Sequence, residues 1–274
     1  VRTARPTGLA PARAAAKDEP PDHAEIGLYA FGPLSIRTGP LSALDARLRE
    51  WCRAPERRGL LVGFLNPHVY NYAEREPIVR SFITACELVC IDGIAVALAS
   101  RLLFGASPPR VIATALFDRV LKWSTPRVDA ILIGGTLPQA RLAAAAINAR
   151  SRAWRIVDAF SGFMHADEYL ATLSKYSDID AVLVGAGTPK SEHILMGARA
   201  VCGRALCWHI GGGTLGLYAG TRSRAPAWVS AIGAEWLHRF IHEPHVRPRV
   251  VQGSFEFAAH LLRHRCHSGL QDAP

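Results

Sequence analysis

No stretch of the sequence approaches eighteen uninterrupted apolar residues, so no membrane-spanning helix is expected. No two of its six cysteines stand as Cys-x-x-Cys. Cys52, Cys86, Cys90, Cys202, Cys207 and Cys266 are interleaved with strongly apolar segments instead. That pattern argues against a zinc site or a disulfide framework and for buried free thiols in a reducing cytoplasm. The G-x-x-x-x-G-K-[ST] run of triphosphate hydrolases is missing, and no G-x-G-x-x-G is well placed with a following acidic residue. Triphosphate hydrolysis and dinucleotide binding therefore lose ground. Internal repeats are absent.

Acidic residues are the scarce charge: 23 Asp and Glu face 32 Lys and Arg, a net charge of +9. Such a surplus suggests an anionic partner, whether phosphate, nucleic acid or acidic lipid. The hydrophobic fraction of 49% is ample for a core, and 274 residues suit one large domain, or one domain with an appendage. Residues 1–24 are rich in Arg, Ala and Pro without a hydrophobic run of signal-peptide length, and read as a disordered leader.

From residue 25 the pattern is regular. "GLLVGFL" (59–65), "ELVCI" (87–91), "VDAILIGG", "WRIVDAF", "DAVLVGAG" and "ALCWHIG" read as buried strands. Between them lie segments of helical spacing, of which "PQARLAAAAINARS", with Pro138 in its first turn, is the clearest. Strands and helices alternating over short connections predict an α/β fold: a Rossmann-like, mostly parallel sheet with helices on both faces. After Gly220 the alternation stops. The expected organisation is a leader (1–24), an α/β core (25–220) and a basic helical C-terminal appendage (221–274), interrupted at Pro244 and Pro248. Between residues 221 and 249, five arginines face two acidic residues, which suggests an anion beneath this segment.

Four loops that follow strands hold the chemistry-bearing residues. Asn66 ends the 59–65 strand, and Asp92 ends the 87–91 strand. Asp92 has two readings: a cap for the next helix, or a carboxylate at a strand tip, where open α/β sheets place ligands. "VGAGTPKSEH" offers Gly185, Gly187, Pro189, Lys190 and Glu192 where a strand passes into a helix, with backbone N–H groups that could face a phosphate. "HIGGGTLG" offers Gly211, Gly212 and Gly213, which permit close backbone approach to a ligand. An acid at a strand tip, an amide beside it, glycine-rich loops and an arginine-bearing flap (Arg224, Arg239, Arg249) suit metal-free transfer from a nucleotide-activated sugar.

The order Asn-Pro, "IDG", "GAGTPKSE", "AGTRSRAPAW" and "GAEWLHRFIHEP" resembles the WecG/TagA/CpsF family of bacterial glycosyltransferases, from about residue 25 to 250. The resemblance implies a cofactor- and metal-independent, inverting enzyme of cell-envelope polysaccharide synthesis. Its donor would be a UDP-sugar carrying N-acetylmannosamine, the corresponding uronic acid or a hexose. Its acceptor would be a polyprenyl-diphosphate-linked saccharide on the cytoplasmic face of the membrane. By the same resemblance Asp92 is the general base, Asn66 lies beside it in the donor pocket, and Arg239 and Arg249 of the appendage help hold diphosphate. Relatives tend to form homo-oligomers and to bind an acidic membrane surface peripherally through the appendage.

The sequence departs from the family pattern at Phe64, Ala113, Ala115, Ser191 and Gly216, where relatives carry other, mostly polar, residues. A different donor sugar would account for the departures. The alternative is a catalytically impaired paralogue that binds a nucleotide sugar or serves as a scaffold. Nucleic-acid binding rests on the charge alone, with no recognised motif, and is not expected.

Overall fold

The computed structural model describes residues 25–105, 107–226, 228–229, 233–243 and 247–271. The expected leader lies outside them. Gly27–Phe31 (β1) and Leu34–Thr38 (β2) form an antiparallel hairpin. It leads through Leu41–Arg53 (α1) into Leu60–Leu65 (β3), Pro67–Arg75 (α2), Pro77–Ala85 (α3), Leu88–Ile91 (β4) and Ile94–Phe104 (α4). Ala113–Val120 (α5), Val128–Gly134 (β5), Leu137–Arg150 (α6), Trp154–Phe160 (β6) and Ala166–Leu173 (α7) follow. Ala181–Gly185 (β7), Lys190–Val201 (α8), Leu206–His209 (β8) and Gly211–Tyr218 (α9) complete the alternation. Beyond it come Glu235–His242 (α10) and Arg247–Gln271 (α11).

Strands β3 to β8 make one six-stranded sheet in the order β4-β3-β8-β7-β5-β6. Every pairing in it is parallel, as the alternation predicts. The inner strands and β4 read as nearly continuous apolar runs because both faces are covered, whereas the edge strand β6 carries exposed Arg155 and Asp158. One face packs Leu44 and Leu48 of α1, Phe117 of α5, Ala140 and Ile147 of α6 and Leu215 of α9 around Trp154 and Trp208. The other packs the hairpin with Val69, Phe82, Tyr169 and Leu195 from α2, α3, α7 and α8.

The helix after β5 covers the first face and the helix after the neighbouring β7 covers the second. Where adjacent strands send their helices to opposite faces, the loops splay apart, and such switch points are where open sheets bind ligands. β8 repeats the arrangement: α9 goes to the first face, whereas α8 and α2, which follow its two neighbours β7 and β3, go to the second.

Two expectations about the tail change. Pro248 does not interrupt a helix; it sits in the first turn of α11, where its missing N–H costs nothing. Pro244 lies outside the described residues. The last helix also returns to the core: Phe257 and Leu261 are buried against the second face, beside Phe31 and Tyr70.

Cys52, Cys86, Cys90, Cys202 and Cys207 are free and buried, as expected. Burial pushes the Cys52 and Cys207 thiols up to about 12, which keeps them from ionising. The Cys266 side chain lies outside the described residues. No helix among the described residues is long and apolar enough to cross a membrane.

Candidate active site

Leu65 of β3 pairs with Ile91 of β4, so the next residue of each strand, Asn66 and Asp92, emerges at the same edge of the sheet. The Asp92 N–H donates to Leu65 O at 2.9 Å, which ties the two tips together. Asp92 is half-buried. The N-cap of α4 is Gly93, at φ 116°, a backbone region open to glycine. Asp92 therefore stands one residue ahead of the cap position. Asn66 does cap: it is the N-cap of α2, and its Oδ1 accepts from Val69 N at 2.9 Å. With the carbonyl committed, the Asn66 NH₂ is the half of that amide left for a ligand.

The glycine-rich loops lie at the ends of β7 and β8, and most of their missing side chains make room for protein rather than ligand. A Cβ on Gly185 would come within 3.0 Å of Gly211 O, and one on Gly213 within 2.7 Å of the Arg222 guanidinium. Gly187 differs: at φ 83° it has nothing within 4 Å of the Cβ position, so its loop is open to an incoming group.

Pro189 follows a cis peptide bond and precedes α8. Lys190 donates from Nζ to Met164 O at 3.0 Å and lies over the Tyr169 ring, which anchors the loop before α7. Ser191, one of the positions read as departing from the family pattern, is fully buried; its Oγ accepts from Ala186 N at 3.0 Å. Glu192, expected to touch substrate, is buried beneath the loops. Its Oε1 accepts from Thr188 Oγ1 at 2.9 Å and faces His209 Nε2 at 3.7 Å. His209, the last residue of β8, was not singled out from the sequence. The Phe64 ring packs on it with centroids 4.8 Å apart. Burial pushes the Glu192 carboxyl up to about 7 and the His209 imidazole down to about 4.

The C-terminal segment folds over the Asp92 tip. A Cβ on Gly233 would lie 3.1 Å from Ile94 Cβ, two residues beyond Asp92, and Glu235 of α10 pairs with Arg110 at 3.1 Å. Arg110 itself bridges to Ile91, the last residue of β4. It is the basic residue of this edge that the sequence reading passed over, and the run Arg110-Val111-Ile112-Ala113 was the signal for it.

Two of the five arginines have carboxylate partners, one of them outside the segment. Arg222 forms a two-bond pair with Glu243, and Arg224 pairs with Asp118, which also accepts from Tyr218 Oη at 2.6 Å. The count of acids within the segment missed Asp118 because it lies a hundred residues away in sequence. The Arg239 and Arg249 side chains lie outside the described residues. Trp236 is 51% exposed, and Trp228 is 69% exposed.

Two motifs bear on the excluded chemistries. The chain contains one Asp-x-Asp run, Asp178-Ile179-Asp180, a spacing that can hold a divalent cation. It precedes β7, at the opposite end of the strands from the loops, where Asp180 pairs with Arg57 at 2.7 Å and accepts from Asp129 N. Gly211, Gly213 and Gly216 have G-x-G-x-x-G spacing between β8 and α9. No strand follows α9 among the described residues, so the strand–helix–strand unit of a dinucleotide site is incomplete.

Taken together, Asp92 and Asn66 stand side by side at two strand tips, the open Gly187 loop lies across β8 from them, and a basic segment folds over one side. A half-buried carboxylate there can take a proton from a hydroxyl, with backbone N–H groups at the start of α8 and α9 available to a leaving anion. Residues 32–270 match the model of the Glycosyl transferase WecG/TagA/CpsF family, and the chain belongs to that glycosyltransferase family.

Proposed function

We propose that the protein transfers a sugar from a UDP-sugar to a hydroxyl of a polyprenyl-diphosphate-linked saccharide, with inversion and without a metal ion. The observation that carries this reading is the juxtaposition of Asp92 and Asn66 at the tips of adjacent parallel strands in a glycosyltransferase-family chain. Asp92 takes the proton from the acceptor hydroxyl while its oxygen forms the new bond to the anomeric carbon. The bond to the UDP oxygen breaks on the opposite face, which inverts the centre, and its electron pair leaves with the diphosphate. Backbone N–H groups at the starts of α8 and α9 stabilise that charge, with Arg110, Arg239 and Arg249 as the cationic candidates. Asn66 holds the donor through its NH₂.

The acceptor's lipid implies work at the inner face of the cell membrane. Trp236, Leu237 and Ile241 are exposed on α10, with Arg247 just beyond, a mix suited to an acidic headgroup layer. A homo-oligomer is part of this proposal through the family resemblance alone.

Incubation with a panel of UDP-sugars and a short-chain prenyl-diphosphate saccharide tests the reading. UDP release that depends on the acceptor and persists in EDTA is the expected result. Turnover abolished by EDTA and restored by Mg²⁺ or Mn²⁺ would overturn the metal-free step. A second reading, a binding or scaffold role without turnover, is favoured by Ser191, a departure from the family pattern that is buried and bonded to backbone. Binding of UDP with no release from any donor would select it.

A further inference from the structure

Along the flank of α2, between it and α11, lies an open cavity of about 540 Å³. That volume is in the range of small-molecule sites. α2 supplies His68, Asn71, Tyr72 and Arg75, and α11 supplies Gln252 and Glu256. The residues from α2 recur at three- and four-residue spacing, so they form one stripe down the helix. At about 1.5 Å per residue, this stripe is about 10 Å long. It starts two residues after Asn66, so the cavity leads outward from the strand tips.

The lining is polar and close to neutral. Arg75, the one guanidinium of the lining among the described residues, is paired with Glu256 at 2.8 Å, so it gives a phosphate little to hold. Amides, a phenol and an imidazole both donate and accept hydrogen bonds, as sugar hydroxyls do. Asn71 adds a second observation. It is 2% exposed, and its Nδ2 donates to Gly253 O at 2.8 Å and to Glu256 Oε2 at 3.2 Å. Its Oδ1 meets no donor among the described residues. A buried acceptor left without a donor is costly, and a ligand hydroxyl supplies what is missing.

We infer that this cavity between α2 and α11 is a subsite for a neutral, hydroxyl-rich saccharide. On the transferase reading of the preceding subsection, that saccharide is the acceptor's sugar portion, which would approach Asp92 from this side while the donor occupies the glycine loops. α11 would then be a wall of the acceptor site as well as a part of the core.

The test is calorimetric titration of the full chain with N,N′-diacetylchitobiose as the saccharide probe and, separately, with UDP. Gln252 is exposed and its side chain makes no hydrogen bond among the described residues, so Gln252→Trp fills the cavity without disturbing packing. The expected result is disaccharide binding that weakens at least about tenfold in Gln252→Trp, the scale of one or two lost hydrogen bonds. UDP affinity and the circular dichroism spectrum stay unchanged. Disaccharide binding that is undetectable in the parent protein, or equal in Gln252→Trp, overturns the subsite. Disaccharide binding without UDP binding upholds the subsite and overturns the donor reading instead.

Discussion

Glu192 Oε1 lies 3.7 Å from His209 Nε2, with the two side chains only 1% and 3% exposed. The separation is too long for a hydrogen bond, and burial favours the neutral form of each, so the contact is not an ion pair near neutral pH. The carboxyl is raised from 4.5 to about 7, so its contribution to stability is fully present below 4.5 and lost as pH rises through about 7. The imidazole is lowered from 6.5 to about 4, so its contribution is present above 6.5 and lost as pH falls through about 4. Between 4.5 and 6.5 the two slopes have opposite sign and cancel. Glu192→Gln removes one of them. Its melting temperature should therefore rise relative to the parent's as pH goes from 4.5 to about 7, the interval spanned by the Glu192 shift. A difference that stays constant with pH would refute the paired burial.

Asp92→Asn should leave stability nearly unchanged, since Gly93 rather than Asp92 holds the cap position of α4. Turnover should drop by about a hundredfold or more, the scale of a lost general base. Steady-state UDP release together with a thermal melt checks both halves. An active Asp92→Asn would remove the base assignment.

Asn66 has a cap role and a proposed ligand role, and two substitutions separate them. Asn66→Ala loses the bond to Val69 N and should cost about 1 kcal/mol of stability. Asn66→Asp keeps the cap, because Asp serves there about as well as Asn, but replaces the NH₂ with a charge beside Asp92. Near-parental stability with strongly weakened UDP-sugar binding is expected for Asn66→Asp. Unweakened binding would leave Asn66 as a cap and nothing more.

Ending the chain before Arg247 should destabilise the sheet domain as well as disable the appendage, because Phe257 and Leu261 of α11 are buried in the second core face. Phe257→Ala alone should cost about 3–5 kcal/mol, the usual range for emptying a packed phenylalanine site. Urea unfolding measures this. A loss under about 1 kcal/mol would mean that α11 rests on the core without completing it.

Arg224→Ala breaks the pair with Asp118, a surface pair in which the arginine is largely exposed, and should change stability by no more than about 1 kcal/mol. If Arg224 serves only to hold that segment, Asp118→Asn should lower turnover to a similar degree. A much larger effect from Arg224→Ala would mark direct contact with substrate.

The sheet was legible in the sequence because each strand, turn and helix is a local pattern. Apolar runs of five to seven residues, a turn and a helical stripe need no knowledge of distant residues. Asn66 and Asp92 could be placed at strand tips on the same local grounds, and the ordered motifs carried the family. What the sequence could not show is which tips become neighbours. The order β4-β3-β8-β7-β5-β6 sets Asn66 beside Asp92 and brings the end of β8 next to the start of α8. The Glu192–His209 contact, the Arg224–Asp118 pair and the burial of Phe257 and Leu261 all join residues far apart in the chain. So does the crowding of Gly185 against Gly211, which turns an apparent phosphate loop into a backbone contact. Local periodicity reports which face of an element is apolar, and only tertiary packing decides what that face meets.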